Sequence, residues 1–171
     1  MIGRLHHLVL DCPEPDVLAR FYSELLGWPV TWQQPDFVVV AADDRTSGLA
    51  FQLATDYQAP DWPDPRRPQQ LHVDVMVDDL DEAEPRVLAL GARRLTGPDP
   101  ALAPASAPAP ASAPASAPAP ASAPASAPRV FADPAGHPFC LIPRPSWAPP
   151  VHPGAGPATA SEEPDAGKAG S

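Results

Sequence analysis

The chain has 171 residues, a formal net charge of −10 and only two cysteines. Acidic residues outnumber basic ones by 21 to 11, and no basic cluster extends beyond two Arg–Arg pairs, which argues against a nucleic-acid-binding protein. No apolar run approaches the roughly 18 residues of a membrane span, and the first residues lack the apolar core of a secretion signal. We therefore expect a cytoplasmic protein without a membrane partner, whose two thiols stay reduced.

Two stretches contain too few large apolar residues to build a core. Residues 103–128 contain only Ala, Pro and Ser, and residues 145–171 are rich in Pro, Gly, Ala and Ser. Proline lacks the amide hydrogen that helices and sheets need, and Ala and Ser bury too little area to offset the entropy of ordering. We expect one domain over residues 1–144, interrupted by an insertion at 103–128 and followed by a disordered tail at 145–171.

The first module, residues 1–56, is predicted to form a strand, a helix and three more strands. "LHHLVLD" alternates as a half-buried strand does. "CPEPDVLARFYSELLG" has its prolines and acids at the start, apolar residues at helical spacing and Gly27 at the end, as expected of a helix. "WPVTWQ", "DFVVVAA" and "GLAFQLA" are short apolar runs between turn residues, typical of strands.

The same pattern then restarts in a second module, residues 70–144. "LHVDVMVD" predicts a strand and "DLDEAEPRVLALG" a helix, with Pro85 close enough to the first turn to be tolerated. "ARRLTG", "RVFAD" and "GHPFCLI" complete three further strands, with the insertion between the first two. "GLAFQLA" and "GHPFCLI" share the pattern G-x-x-F-x-L, so Gln52 and Cys140 hold equivalent positions.

These motifs in this order resemble the vicinal oxygen chelate superfamily, which includes glyoxalase I, extradiol dioxygenases and bleomycin-resistance proteins. The resemblance rests on "H-x-x-L-x-C", "FYSELLG", "H-x-D-x-x-V-D-D-L" and "D-P-A-G-H-P-F-C-L". It is strongest with the small glyoxalase-like proteins of high-GC actinobacteria. It implies an α+β fold in which two βαβββ modules pair into a curved mixed sheet around a cleft, and it implies a homodimer.

The resemblance also implies a set of cleft residues. Metal-binding members of the superfamily carry ligands at four positions, which map here onto His7, Gln52, His72 and Cys140. Strand alternation separately places these four side chains on the face opposite the apolar residues that pack against the helices. Asp11 and Asp74 share that face and are further candidate ligands.

The residue types at those positions leave the function open between a binding protein and an enzyme. Relatives that bind metal have two His with one or two Glu, whereas here His7 and His72 are kept and both carboxylates are replaced. A divalent ion such as Zn, Ni, Mn or Fe held by these residues would suit a lyase, isomerase or dioxygenase. We favour the alternative, a protein that binds a small organic molecule without metal, because a neutral amide such as Gln52 is a weak ligand.

Two other stretches carry candidate site residues. The segment joining the modules contains Tyr57 and Trp62 among prolines, which suits a semi-rigid lid that contacts the substrate. In "ADPAGHPFCLIPR", His137 is three positions from Cys140, a spacing that raises the possibility of a nucleophile and its base. His137 follows a turn glycine whereas Cys140 is mid-strand, so we expect their side chains to diverge and assign His137 to the turn.

Overall fold

A computed structural model describes residues 1–95 and 127–151 of the chain. Most of the predicted insertion and most of the predicted tail lie outside these residues. The described part contains two helices and eight strands. Their bounds are β1 His7–Cys12, α1 Pro15–Leu26, β2 Val30–Gln34, β3 Phe37–Val40, β4 Gly48–Leu53, β5 Val73–Val77, α2 Leu80–Ala89, β6 Arg93–Arg94, β7 Arg129–Ala132 and β8 Pro138–Pro143.

Each module forms its own four-stranded mixed sheet, and this confirms the predicted βαβββ repeat. The strand orders are β1-β4-β3-β2 and β5-β8-β7-β6. In each sheet the first and last strands of the module pair in parallel, and the other neighbours are antiparallel. The two sheets remain open, and with the two helices they confirm the predicted α+β class.

Helix α1 is held mainly by apolar contacts. It begins at Pro15 and ends at Gly27, which adopts φ 68°, a left-handed conformation that glycine tolerates best. The side chains of Leu18, Phe21 and Tyr22 are at most 3% exposed. Burying aliphatic and aromatic side chains of this size stabilises the fold by about 1.5–3 kcal/mol each.

Helix α2 is shorter and depends more on polar contacts. The Asp79 side chain caps it by accepting hydrogen bonds from the amides of Asp81 and Glu82 at 2.7 and 3.0 Å. The helix continues through Pro85, as predicted. Its buried residues are Leu80 and Val87.

One hydrophobic core joins the two modules. Phe139 of β8 is fully buried, and its ring centroid lies 5.6 Å from that of Phe21 and 6.5 Å from that of Tyr22, both on α1. Tyr22 in turn stacks on Phe51 of β4 at 5.3 Å. The two sheets therefore share aromatic packing although no pairing between the described strands connects them.

The flanks of the insertion lie side by side. β6 and β7 are antiparallel neighbours in which Arg94 pairs with Phe131. The Leu95 amide donates to the Val130 carbonyl at 2.9 Å, which extends this pairing by one residue. Neither described helix is long and apolar enough to cross a membrane.

Candidate functional site

A cavity of about 450 Å³ lies between β1 and the segment that joins the two modules. Much of its wall is apolar and comes from residues such as Val9, Leu71 and the linker prolines. The polar part of the wall comes from three places: the end of β1, the linker, and the turn between β7 and β8. The lining residues are Val9, Leu10, Asp11, Tyr57, Gln58, Pro60, Arg67, Pro68, Gln69, Gln70, Leu71 and His137.

The linker is a closed loop rather than an extended strap. The Asp61 amide donates to the Arg67 carbonyl at 2.9 Å, and the Arg67 guanidinium pairs with the Asp61 carboxylate at 3.3 Å. Tyr57 lines the cavity, as a substrate-contacting residue would. Trp62, the other linker candidate, is not among the lining residues, and its indole N–H is buried without a hydrogen-bond partner in the described part of the chain.

The side chain of His137 joins three segments at the cavity wall. Its Nδ1 lies 2.9 Å from the Asp133 carboxylate, and its Nε2 lies 3.0 Å from both the Tyr57 hydroxyl and the Asp11 carbonyl oxygen. The turn places it there because Gly136 adopts φ 96°, which a residue with a side chain rarely accepts. His137 is thus in a turn, as predicted, but it also lies in a cavity wall.

Asp133 anchors this turn from within the core. Its side chain is fully buried, and one carboxylate oxygen accepts the amides of Ala135 and His137, each at 2.9 Å. The other oxygen accepts the Tyr22 hydroxyl at 3.2 Å and faces His137. Burial and the nearby Asp133 charge raise the pKa of Tyr22 well above its ordinary value, so this phenol stays a donor.

A separate set of donor atoms lies on the second sheet. The side chains of His72, Asp74 and Cys140 offer one nitrogen, one oxygen and one sulfur, all within 4.8 Å of one another. Ligands bound at about 2.0–2.3 Å to one ion are separated by at most about 4.6 Å, so modest adjustment would let all three share it. Cys140 is buried and Asp74 exposed, which places the group at the edge of solvent.

Comparison with known proteins accounts for this architecture. A family model described as a glyoxalase-like domain matches residues 7–142. The chain belongs to the glyoxalase-like domain family. The search of curated proteins returned no match.

Solved structures with the glyoxalase-like fold also match. A glyoxalase-related enzyme from Fulvimarina pelagi is 18% identical with a TM-score of 0.51, and the match covers 84% of this chain and 90% of that one. A glyoxalase/bleomycin resistance protein/dioxygenase family enzyme from Burkholderia phytofirmans PsJN is 13% identical, with a TM-score of 0.53 and coverage of 82% and 98%. The fosfomycin resistance protein FosX from Listeria monocytogenes is 12% identical with a TM-score of 0.52, and the match covers 83% of this chain and 90% of that one. At these identities the likeness shows the fold alone.

Strand register explains which family ligand positions of this glyoxalase-like domain come together. Asp11 lies opposite Gln52, and Asp74 lies opposite Cys140, so the two modules correspond at these pairs. His72 is two residues from Asp74 and its Nε2 lies 3.5 Å from that carboxylate. His7 is four residues from Asp11 and pairs with Gly48, about 13 Å along the strand from the Gln52 level.

The structure therefore places His7 outside the donor group formed by His72, Asp74 and Cys140. The His7 ring stacks on His6 with centroids 3.7 Å apart, and its Nδ1 is buried without a hydrogen-bond partner among the described residues. Burial and the adjacent His6 lower the pKa of His7, which keeps it neutral. Gln52 is exposed on β4.

Sequence reasoning did not assign the two most connected site residues, Asp133 and His137. One available signal was the turn sequence "DPAGH", because an Asp followed by Pro and Gly commonly caps its own turn through backbone amides. The contacts of His137 with Tyr57 and Asp11 join positions 80 and 126 residues apart. No local pattern in one sequence reveals them.

Proposed function

We propose that this glyoxalase-like domain binds a small organic molecule in the cavity between β1 and the linker, and that binding needs no metal. The cavity itself carries the proposal. Its volume of about 450 Å³ falls within the range of roughly 300–1,000 Å³ typical of small-molecule sites. Its wall combines apolar surface with a few polar groups, which is the composition that buries an organic ligand and orients it.

A protein of this kind acts by sequestering its ligand, in the manner of a resistance protein. None of the residues at the four family ligand positions lines the cavity, so ligand binding there can proceed with those positions empty. Tyr57, Gln58 and residues 67–69 lie in the linker between the modules, and Gln70 and Leu71 follow it. Because the linker forms much of the wall, ligand binding should stabilise its conformation.

A fluorescent probe tests the proposal. We expect N-phenylnaphthylamine, a neutral aromatic amine, to bind the wild-type protein with an increase in fluorescence. Val9→Trp should abolish this binding because the larger ring fills the cavity, whereas Val30→Trp should not. Val9 and Val30 are 42% and 43% exposed on strands of the same sheet, but Val30 does not line the cavity. Equal binding by both variants would refute the proposed site.

The donor group of the second sheet favours a second candidate function, a divalent-metal-dependent lyase, isomerase or dioxygenase. His72, Asp74 and Cys140 fit a borderline ion such as Zn²⁺, since imidazole, carboxylate and thiolate are its ordinary ligands. A bound ion would polarise a substrate oxygen or activate water. In this chain His72 and Cys140 would hold the ion, and Asp74 would supply the carboxylate that Gln52 does not.

Cobalt substitution tests the second candidate through the thiolate. If Cys140 binds the ion, Co²⁺ should produce a sulfur-to-cobalt charge-transfer band that Cys140→Ser removes. His72→Ala should weaken Co²⁺ binding about tenfold or more, while His7→Ala should leave it within twofold because His7 lies outside the donor group. Metal-free protein, purified without chelator and indifferent to added Co²⁺, Zn²⁺, Ni²⁺, Mn²⁺ or Fe²⁺, would refute this candidate.

A further inference from the structure

The hydrogen bonds around His137 bear on where the Tyr57 hydroxyl can donate its hydrogen. The Asp133 carboxylate faces Nδ1 of the ring, and the Asp11 carbonyl oxygen faces Nε2 at 3.0 Å. A carbonyl oxygen only accepts, and a carboxylate that already accepts two amides and a hydroxyl also accepts. The contact between Nε2 and the Asp11 carbonyl oxygen is therefore favourable when Nε2 carries a hydrogen.

This arrangement fixes the role of the Tyr57 hydroxyl. Its oxygen lies 3.0 Å from Nε2 and, together with the Asp11 carbonyl oxygen, accepts a hydrogen bond from the N–H there. The phenolic hydrogen of Tyr57 is then available to an acceptor other than His137. Among residues 1–95 and 127–151 the Tyr57 hydroxyl has no hydrogen-bond partner other than His137. Tyr57 lines the cavity, so a molecule bound there can accept this hydrogen. Burial and the Asp133 charge raise the pKa of Tyr57, which keeps the hydrogen in place.

The other polar residues of the wall include one that only donates. Arg67 carries a guanidinium, which also pairs with Asp61. The amides of Gln58, Gln69 and Gln70 both donate and accept, and Asp11 contributes a carboxylate. Arg67 and the Tyr57 hydroxyl are therefore the lining groups suited to an anionic ligand.

We propose that Tyr57, positioned by His137, binds the oxyanion of an organic acid whose apolar body occupies the rest of the cavity. The proposal rests on the function proposed above and adds the ligand's chemical class. Tyr57 is the residue that contacts the ligand. His137 is a positioning residue, because it holds the Tyr57 oxygen and is itself held by Asp133.

Two fluorescent probes with the same aromatic body separate the oxyanion from the apolar contact. Anilinonaphthalene sulfonate carries a sulfonate that N-phenylnaphthylamine lacks. Removing one hydrogen bond to a charged group typically costs about tenfold in affinity or somewhat more. We therefore expect Tyr57→Phe to weaken binding of the sulfonate about tenfold and to change binding of the neutral amine less than twofold.

Tyr22→Phe is the matched control. It deletes a hydroxyl at the other end of the same network, 3.2 Å from Asp133, on a residue that is fully buried and does not line the cavity. It should leave the affinity for both probes within twofold. Equal effects of Tyr57→Phe on both probes, or no effect on the sulfonate, would overturn the inference.

Nitrogen NMR of the His137 ring gives a second readout that needs no variant. The sulfonate should shift the Nε2 resonance of the wild-type protein, and the neutral amine should not. A wild-type protein that does not bind the sulfonate, or binds it without that shift, overturns the inference as well. If Val9→Trp abolishes binding of the neutral amine, the proposed cavity site is still supported. The proposed function and the proposed ligand class can therefore fail separately.

Discussion

The two modules share one topology but are held together by different forces. In the first module α1 lies on its sheet through buried side chains such as Leu18, Ala19 and Phe21. In the second, α2 buries only Leu80 and Val87. Its attachment relies instead on Arg129 of β7, which bonds the Leu80 carbonyl at 2.9 Å and the Glu84 carboxylate at 2.6 Å.

The difference shows that two copies of one βαβββ unit can hold their helices by different interactions. The ion pairs on α2 extend to Arg129 with Asp81 and to Arg94 with Glu84. Ion pairs at a surface stabilise weakly and are screened by salt, whereas apolar burial contributes strongly and is not screened. We expect apolar packing to provide most of the attachment of α1, and the ion pairs of Arg129 and Arg94 to contribute more to the attachment of α2.

The largest loss of stability is expected when a side chain that packs against both modules is removed. Phe139→Ala deletes a fully buried ring that contacts Phe21, Tyr22 and Phe131. We expect a loss of about 3–5 kcal/mol in the free energy of unfolding, measured by urea denaturation.

Leu53→Ala on β4 is the control for Phe139→Ala. Leu53 is 40% exposed, so its truncation should cost less than about 1.5 kcal/mol. If Phe139→Ala cost no more than this, the shared core would not hold the modules together.

The ionic attachment of α2 gives the next largest effect. Arg129 has a side chain only 16% exposed and contacts Asp81, Glu84 and Leu80. Arg129→Gln should lower the free energy of unfolding by about 1–2 kcal/mol, because it leaves Glu84 without one of its two partners. Urea denaturation at low and high salt should show a smaller loss at high salt.

Arg20→Gln on α1 is the matched control for Arg129→Gln. Arg20 is exposed on the helix that apolar contacts hold. We expect its substitution to change stability by less than about 0.5 kcal/mol at either salt concentration. An equal effect of the two substitutions would remove the distinction between the modules.

The pH dependence of stability tests how strongly the core of the first module excludes charge. Burial raises the pKa of Cys12 from 9.0 to about 11, because the thiolate is disfavoured inside the core. Between these values the unfolded chain loses the thiol proton while the folded chain retains it. The contribution of Cys12 is thus fully present below pH 9 and declines as pH rises toward 11.

We expect Cys12→Ala to flatten that alkaline decline, whatever its effect on stability at neutral pH. Urea denaturation at intervals between pH 8 and 11 measures the slope. An unchanged slope in the variant would show that the Cys12 thiol does not contribute to it.

The smallest effect is expected from the insertion. β6 and β7 are adjacent antiparallel strands, and residues 96–102 would still connect them if 103–128 were deleted. Lengthening a loop between neighbouring strands costs little free energy. We predict that the deletion changes the melting temperature by less than about 2 °C, measured by differential scanning calorimetry. Loss of cooperative unfolding would contradict this prediction.

Local patterns sufficed to predict the helices, the strands and their repeat, and the family resemblance implied how the two modules pair. The alternation in β1 and β5, the helical spacing ending at Gly27 and the repeated G-x-x-F-x-L pattern fix each element within a few residues. The equivalence of Gln52 and Cys140 follows from that pattern, and the register agrees. Such features depend on neighbours in sequence, so the sequence alone reveals them.

The site was less predictable because it depends on contacts distant in sequence. Tyr57 was expected to contact a ligand and does line the cavity, a prediction that still requires a binding experiment. The equivalence of His7 and His72 stays a prediction, and their spacing to Asp11 and Asp74 differs by two residues, H-x-x-x-D against H-x-D. The placement of His137 against β1 and the linker depends on how the two modules pack. The periodicity of a strand in the sequence does not predict that packing.

The contact between α1 and β8 also bears on how the chain is made. Phe21 and Tyr22 leave the ribosome early, but their packing partner Phe139 is synthesised more than a hundred residues later. The Tyr22 hydroxyl likewise cannot donate to the Asp133 carboxylate until that residue, 111 positions later, has been synthesised. The apolar face of α1 therefore stays without its full set of contacts through most of translation, and the domain completes its core only when its last strand emerges.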